Sequence, residues 1–99
     1  MQGKIPMTNK TQIKVVIKGL VQGVFYRVHT KNTADKLGIK GYVKNLANGS
    51  VEAVFEGDPD AIARMIDWCL KGPEISRIDN IQTQEIKTLS NFKIFEIRY

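Results

Sequence analysis

From Gln12 to Lys18 the chain alternates, with Ile13, Val15 and Ile17 on one face and Lys14, Val16 and Lys18 on the other. A period of two predicts a strand whose one face is covered and whose other face is mostly polar. Gly19-Leu20-Val21-Gln22-Gly23-Val24 follows as a glycine-bounded loop. Tyr26, Thr30, Ala34 and Leu37 then recur at helical spacing until Gly38 supplies a C-terminal stop. Residues 42–46 and 50–56 are β-prone runs separated by Ala47-Asn48-Gly49, and Asn-Gly between two such runs predicts an antiparallel hairpin. Glu52 and Glu56 alternate with Val51, Ala53 and Phe55, so they are expected on a solvated strand face. Asp58-Pro59 reads as an N-cap with proline at the first helical position. Ile62, Met65, Ile66 and Cys69 follow at i, i+3, i+4 and i+7 before Gly72-Pro73 ends the run. Two further strands are expected over residues 78–86 and 92–99, the second with Phe95, Ile97 and Tyr99 alternating.

The predicted order is β-α-β-β-α-β with an extra C-terminal strand. That order implies an α+β fold, the ferredoxin-like split βαβ sandwich, with an antiparallel sheet and both helices on one face. In such a sheet the first and second strands run parallel with the third between them, so their C-terminal ends share an edge. The loop after the first strand and the end of the second then lie about two strand spacings apart, on the order of 10 Å.

Length and composition narrow the setting. With 99 residues there is room for one core, expected over residues 11–99, and the first ten residues, MQGKIPMTNK, read as a flexible arm without the apolar block of an export signal. No stretch approaches the ~18 apolar residues of a membrane span. Cys69 is the only cysteine, so no internal disulfide forms, which suits a reducing cytoplasm. The net charge of +5 is unevenly spread. Residues 1–50 carry nine basic groups against Asp35 alone, whereas residues 51–99 carry six against nine acidic ones. A basic first half favours an anionic partner, either a phosphate compound or a nucleic acid.

Gly19 and Gly23 permit backbone conformations in which successive N–H groups converge on one anion at a helix N-terminus. Arg27, in the first turn of that helix, can add paired hydrogen bonds to phosphate oxygens. A plain glycine-containing turn followed by a surface arginine fits the same residues. Asn45 falls at the same sheet edge as Arg27. Its amide can accept from a water and donate to an oxyanion, which suits positioning, though an asparagine shaping the turn fits equally. Cys69, on the apolar stripe of the second helix, reads as a packing residue, as does Trp68 beside it. His29 lies about 200° around the helix from Arg27 and is expected on the surface. One histidine, one cysteine and no clustered carboxylates argue against a dedicated metal site.

The run Ile17-Lys18-Gly19-Leu20-Val21-Gln22-Gly23-Val24-Phe25-Tyr26-Arg27 closely resembles the first signature of the acylphosphatase family. Gly41-Tyr42-Val43-Lys44-Asn45, followed by Gly49-Ser50-Val51 and Gly57, resembles the second. The resemblance extends over about residues 12–99, including Gly72-Pro73, Arg77-Ile78-Asp79 and the closing Phe95-Glu96-Ile97-Arg98-Tyr99. It implies metal-independent hydrolysis of the carboxyl-phosphate bond of a small acyl phosphate, with no cofactor, by a cytoplasmic monomer that engages neither nucleic acid nor membrane. It further implies that Arg27 binds phosphate, that Asn45 orients the attacking water, and that the backbone of Leu20, Val21, Gln22, Gly23 and Val24 cradles the phosphoryl group. The family's proton acceptor is the substrate's own phosphate. One position departs from the pattern: Tyr26 stands where the family usually has phenylalanine, and its hydroxyl needs a partner or a route to solvent. RNA-recognition domains share the expected topology, and Lys40-Gly41-Tyr42 begins like one of their motifs. It continues, however, as Val43-Lys44-Asn45 on the second strand, where the motif fails.

Overall fold

The computed structural model describes residues 10–23 and 25–99. Residues 1–9 of the expected arm, and Val24, lie outside the described residues. The elements are β1 (Thr11–Leu20), α1 (Tyr26–Lys36), β2 (Lys40–Asn45), β3 (Val51–Gly57), α2 (Pro59–Lys71), β4 (Arg77–Glu85) and β5 (Phe95–Arg98). They form one five-stranded sheet in the order β4-β1-β3-β2-β5. The three pairings expected of a four-stranded split βαβ sandwich are present, with β1 antiparallel to both β3 and β4, and β2 antiparallel to β3. β5 adds to the outer edge of β2 in parallel, so the sheet as a whole is mixed rather than antiparallel throughout.

Local signals place most boundaries. The Asp58 side chain accepts from the Asp60 amide at 2.8 Å, capping α2 ahead of Pro59. Asn48-Gly49 turns the β2–β3 hairpin, closed by the Leu46 amide donating to the Ser50 carbonyl at 2.8 Å. β1 runs two residues further than the alternation suggests because its register with β4 shifts between Lys18 and Gly19. That bulge requires glycine: Gly19 has φ 141°, and a Cβ there would lie 2.0 Å from the Arg77 carbonyl oxygen.

The core lies between the sheet and the two helices. Val15, Ile17, Val43, Val51, Ala53, Phe55 and Phe95 from the strands meet Tyr26, Ala34, Ile62, Met65 and Cys69 from the helices. Phe55 and Phe95 stack with ring centroids 5.8 Å apart. Cys69 is fully buried, and desolvation pushes its thiol pKa up to about 12. A thiol held protonated in this way is a poor nucleophile at neutral pH.

The opposite sheet face departs from expectation. Glu52 and Glu56 are not solvated. Glu52 is paired with Lys14 and Lys44 and accepts from the Tyr42 hydroxyl at 2.9 Å. Glu56, 2% exposed, accepts from the backbone amides of Ser90, Asn91 and Phe92 at 2.8–3.0 Å. The topology explains this. β4 and β5 occupy opposite edges, so residues 86–94 must cross the intervening strands, and a crossing segment cannot leave its amides unpaired. Glu56, on the middle strand, takes three of them, and Gln12 shares the Ser90 amide at 3.0 Å. Phe92 packs edge-on to Tyr42 with centroids 6.1 Å apart. Residues 92–94 therefore belong to the crossing, and the last strand begins only at Phe95, beside Gly41 of β2.

Candidate active site

Two strand ends and one helix start meet at one edge of the sheet. Ile17 pairs with Val51, and Val51 with Asn45, so the pairings of β1 and of β2 with the β3 between them end in the same cross-strand row. Gly41, Val43 and Asn45 alternate onto the helix-facing side of β2. Val43 is fully buried, and Asn45, one step beyond it at the strand end, is exposed. Arg27 is the second residue of α1. The two side chains line a single cavity of about 190 Å³, together with Val21 and Gly23 of the loop, Phe25, Tyr26 and Val28 around the start of α1, and Ile97 and Tyr99 at the chain end.

Of the loop residues singled out from the sequence, Val21 and Gly23 line this cavity. Leu20 ends β1 and is half exposed, and Gln22 points elsewhere. Val24 lies outside the described residues. Gly23 has φ 76° and Phe25 φ 60°, so the chain turns into α1 through left-handed conformations. Phe25 occupies the N-cap with no side-chain cap, and the first turn of α1 holds no acidic residue. The positive end of the helix dipole therefore meets the cavity without a neutralising carboxylate.

Four contacts fix the geometry. The Gln22 amide nitrogen donates to the carbonyls of Leu46 and Ser50 at 2.8 and 2.9 Å, tying the loop to the hairpin that carries Asn45. The sequence points only to the backbone of Gln22, because its side-chain partners are 24 and 28 residues away. Arg27 Nη1 donates to the Arg98 carbonyl at 3.4 Å, and its guanidinium lies 4.8 Å from the centroid of the Tyr99 ring. With five N–H donors, the guanidinium retains a free edge after that one long contact. Tyr99 continues the alternation of Phe95 and Ile97 onto the helix-facing side, which was the available signal for its position here.

The Tyr26 hydroxyl finds its partner in the Cys69 carbonyl at 3.0 Å. That carbonyl lies in the last turn of α2, and its helical donor would be the amide four residues on. That residue is Pro73, which has no N–H. Tyr26 thus joins the start of α1, next to Arg27, to the end of α2, while its ring packs on Trp68 at 5.4 Å. Burial, with the Cys69 thiol beside it, raises the pKa of the hydroxyl far above the ordinary tyrosine value. Tyr26→Phe is expected to lower unfolding free energy by about 1–3 kcal/mol, the cost of an unpaired buried acceptor. Denaturant unfolding checks this, and an unchanged midpoint would mean the carbonyl is satisfied without the hydroxyl.

His29 is exposed and does not line the cavity. On the sheet face away from the helices, β1 and β3 present Lys14, Val16, Glu52 and Val54, none of them aromatic, and Tyr42 of β2 packs against Phe92 of the crossing segment. Among the described residues no helix is long and apolar enough to cross a membrane.

Fold and site together define a small α+β protein of the ferredoxin-like class with an anion-suited cavity at one sheet edge. The acylphosphatase family model matches residues 13–97. The acylphosphatase of Syntrophobacter fumaroxidans is 45% identical over 91 residues, covering 92% of this chain and 94% of its own. Among solved structures, an acylphosphatase from Coxiella burnetii superposes with a TM-score of 0.87 at 37% identity, covering 91% of this chain and 94% of its own. The acylphosphatase from Bacillus subtilis superposes with a TM-score of 0.88 at 31% identity, covering 90% of this chain and 99% of its own. The chain belongs to the acylphosphatase family, hydrolases that act on acyl phosphates.

Proposed function

We propose that this chain hydrolyses the carboxyl-phosphate bond of acyl phosphates in the cavity shared by Arg27 and Asn45, without a metal. The observation that carries the reading is that these two side chains, 18 residues apart in sequence, line one cavity with Val21 and Gly23. Arg27 and the loop amides hold the phosphoryl oxygens, and Asn45 holds a water in line with the bond to the departing carboxylate. Phosphoryl transfer passes through a loose transition state, and a carboxylate leaves readily, so neither a strong acid nor an enzyme nucleophile is demanded. Orientation and charge stabilisation supply the catalysis. The water's proton goes to a phosphate oxygen of the substrate, since among the described residues the cavity lining holds no carboxylate or histidine to accept it.

The same lining, free of histidine, cysteine and carboxylate among the described residues, supports the metal-free reading through its chemistry: it offers an anion the Arg27 donors and offers a cation no charged ligand. The single buried thiol suits a cytoplasmic setting, and the cavity is complete within one chain, which suits a monomer. The test is release of inorganic phosphate from benzoyl phosphate in the presence of EDTA. Turnover is expected to be unaffected by the chelator and slight on ordinary phosphate monoesters, whose alkoxide leaving groups want an acid. Loss of turnover on chelation would overturn the metal-free mechanism.

A further inference from the structure

Much of the cavity lining is apolar, and one of its apolar side chains is displayed at a conformational cost. Phe25 is 72% exposed, yet it sits at φ 60°, ψ 23°, a left-handed conformation that a bulky side chain rarely adopts. Such a placement costs about 1–2 kcal/mol relative to a right-handed one, and an exposed ring recovers little of that through burial. Glycine would occupy the position without strain. A strained and solvent-facing aromatic residue that lines the same cavity as Arg27 and Asn45 points to a role in the site rather than in folding. Val28 follows three residues later on the same side of α1 and is 44% exposed, and Ile97 of β5 lines the cavity with it. Arg27 is the only charged side chain in the lining among the described residues.

We propose that Phe25, Val28 and Ile97 form a seat for the acyl portion of the substrate, and that this seat selects apolar, preferably aromatic, acyl groups over short or anionic ones. The inference rests on the acyl phosphatase reading of the cavity and specifies which acyl group it takes. With phosphate held by Arg27 and the loop, the carboxyl carbon and its substituent must extend from the phosphate toward the mouth, where the Phe25 ring offers a face. An acyl group with a second carboxylate would bring that charge to a wall with no partner, because Arg27 is committed to the phosphate. Stacking and apolar contact at a partly open wall amount to a selectivity on the order of tenfold.

The test compares kcat/KM for benzoyl, acetyl and succinyl phosphates, with the inhibition constant of inorganic phosphate, in the wild-type chain and in Phe25→Gly and Phe25→Leu. The wild type is expected to favour benzoyl phosphate. Phe25→Gly, which relieves the backbone, is expected to remain as stable as the wild type and to lower the benzoyl-to-acetyl ratio about tenfold, mainly through KM. Phosphate inhibition should stay within about twofold, and Phe25→Leu should fall between the two. An unchanged ratio in both variants would overturn the proposal, as would a loss shared equally by all three substrates together with weakened phosphate inhibition, which would make Phe25 a support for Arg27. If the wild type hydrolysed none of the three, the proposed function itself would fall, a result distinct from any change in ratio.

Discussion

Asn45→Ala is expected to lower kcat by two orders of magnitude or more while inorganic phosphate still inhibits. The side chain stands at the exposed end of β2, on the helix-facing side and on the cavity wall. An amide can accept from a water through its oxygen and donate through its nitrogen, but it cannot take a proton at neutral pH. Its contribution is therefore to orientation. Removing one preorganised donor or acceptor from a transition state typically costs a hundredfold or more in rate. Because the water is touched and the ground-state phosphate hardly is, KM and the phosphate inhibition constant should change little. Abolished phosphate inhibition with a high residual kcat would reverse the assignment.

Arg27→Ala should damage both stages. The guanidinium bonds to phosphate oxygens in the bound substrate and in the transition state, so phosphate inhibition should weaken and kcat/KM should fall by about two to four orders of magnitude, the worth of two charge-assisted hydrogen bonds. Arg27→Lys should restore little. An ammonium keeps the charge but not the planar pair of donors, and it cannot at the same time reach the Arg98 carbonyl and lie against the Tyr99 ring as the guanidinium does. The measurements are kcat and the phosphate inhibition constant of each folded variant. Recovery to near wild-type rates in Arg27→Lys would show that charge alone suffices.

The features legible in the sequence are those that short-range chemistry decides. Asn48-Gly49 could only be a turn between two β-prone runs, and Asp58-Pro59 ahead of an apolar stripe could only start a helix; both stand where expected. With those elements in order, the topology follows, and with it the meeting of Arg27 and Asn45 at one sheet edge. Features set by distant parts of the chain were not legible. Glu56 alternates with apolar neighbours as a solvated residue would. Its burial comes from a crossing segment 34 to 36 residues away, whose amides it satisfies. The same crossing places β5 beside β2 in parallel, which no local pattern encodes; the alternation of Phe95, Ile97 and Tyr99 gives their shared face but not the strand that they join. The hydroxyl of Tyr26 announced that it needed a partner, but Cys69, whose carbonyl accepts from it, is 43 residues further along the chain. Phe25 read as part of a signature. Its exposure and left-handed backbone, from which its role follows, belong to the folded chain.

These long-range ties also connect stability to the site. Gln22 holds the loop to the hairpin, Tyr26 holds the start of α1 to the end of α2, and Glu56 anchors the segment that delivers β5. None of the three side chains needs to touch the reacting atoms, yet each fixes one wall of the cavity. A site that works by orientation depends on such supports, because displacement of a reacting group by about 1 Å can cost a hundredfold in rate.

The central claim is that water, held by Asn45, attacks phosphorus while Arg27 and the loop hold the phosphoryl oxygens. Hydrolysis of an acyl phosphate in water enriched in oxygen-18, analysed after a single turnover, tests it most directly. Attack at phosphorus breaks the bond between phosphorus and the bridging oxygen, so the label is expected in inorganic phosphate, with the carboxylate unlabelled. Label in the carboxylate would mean that water attacks the carbonyl carbon, and the roles assigned here to Arg27 and Asn45 would be contradicted.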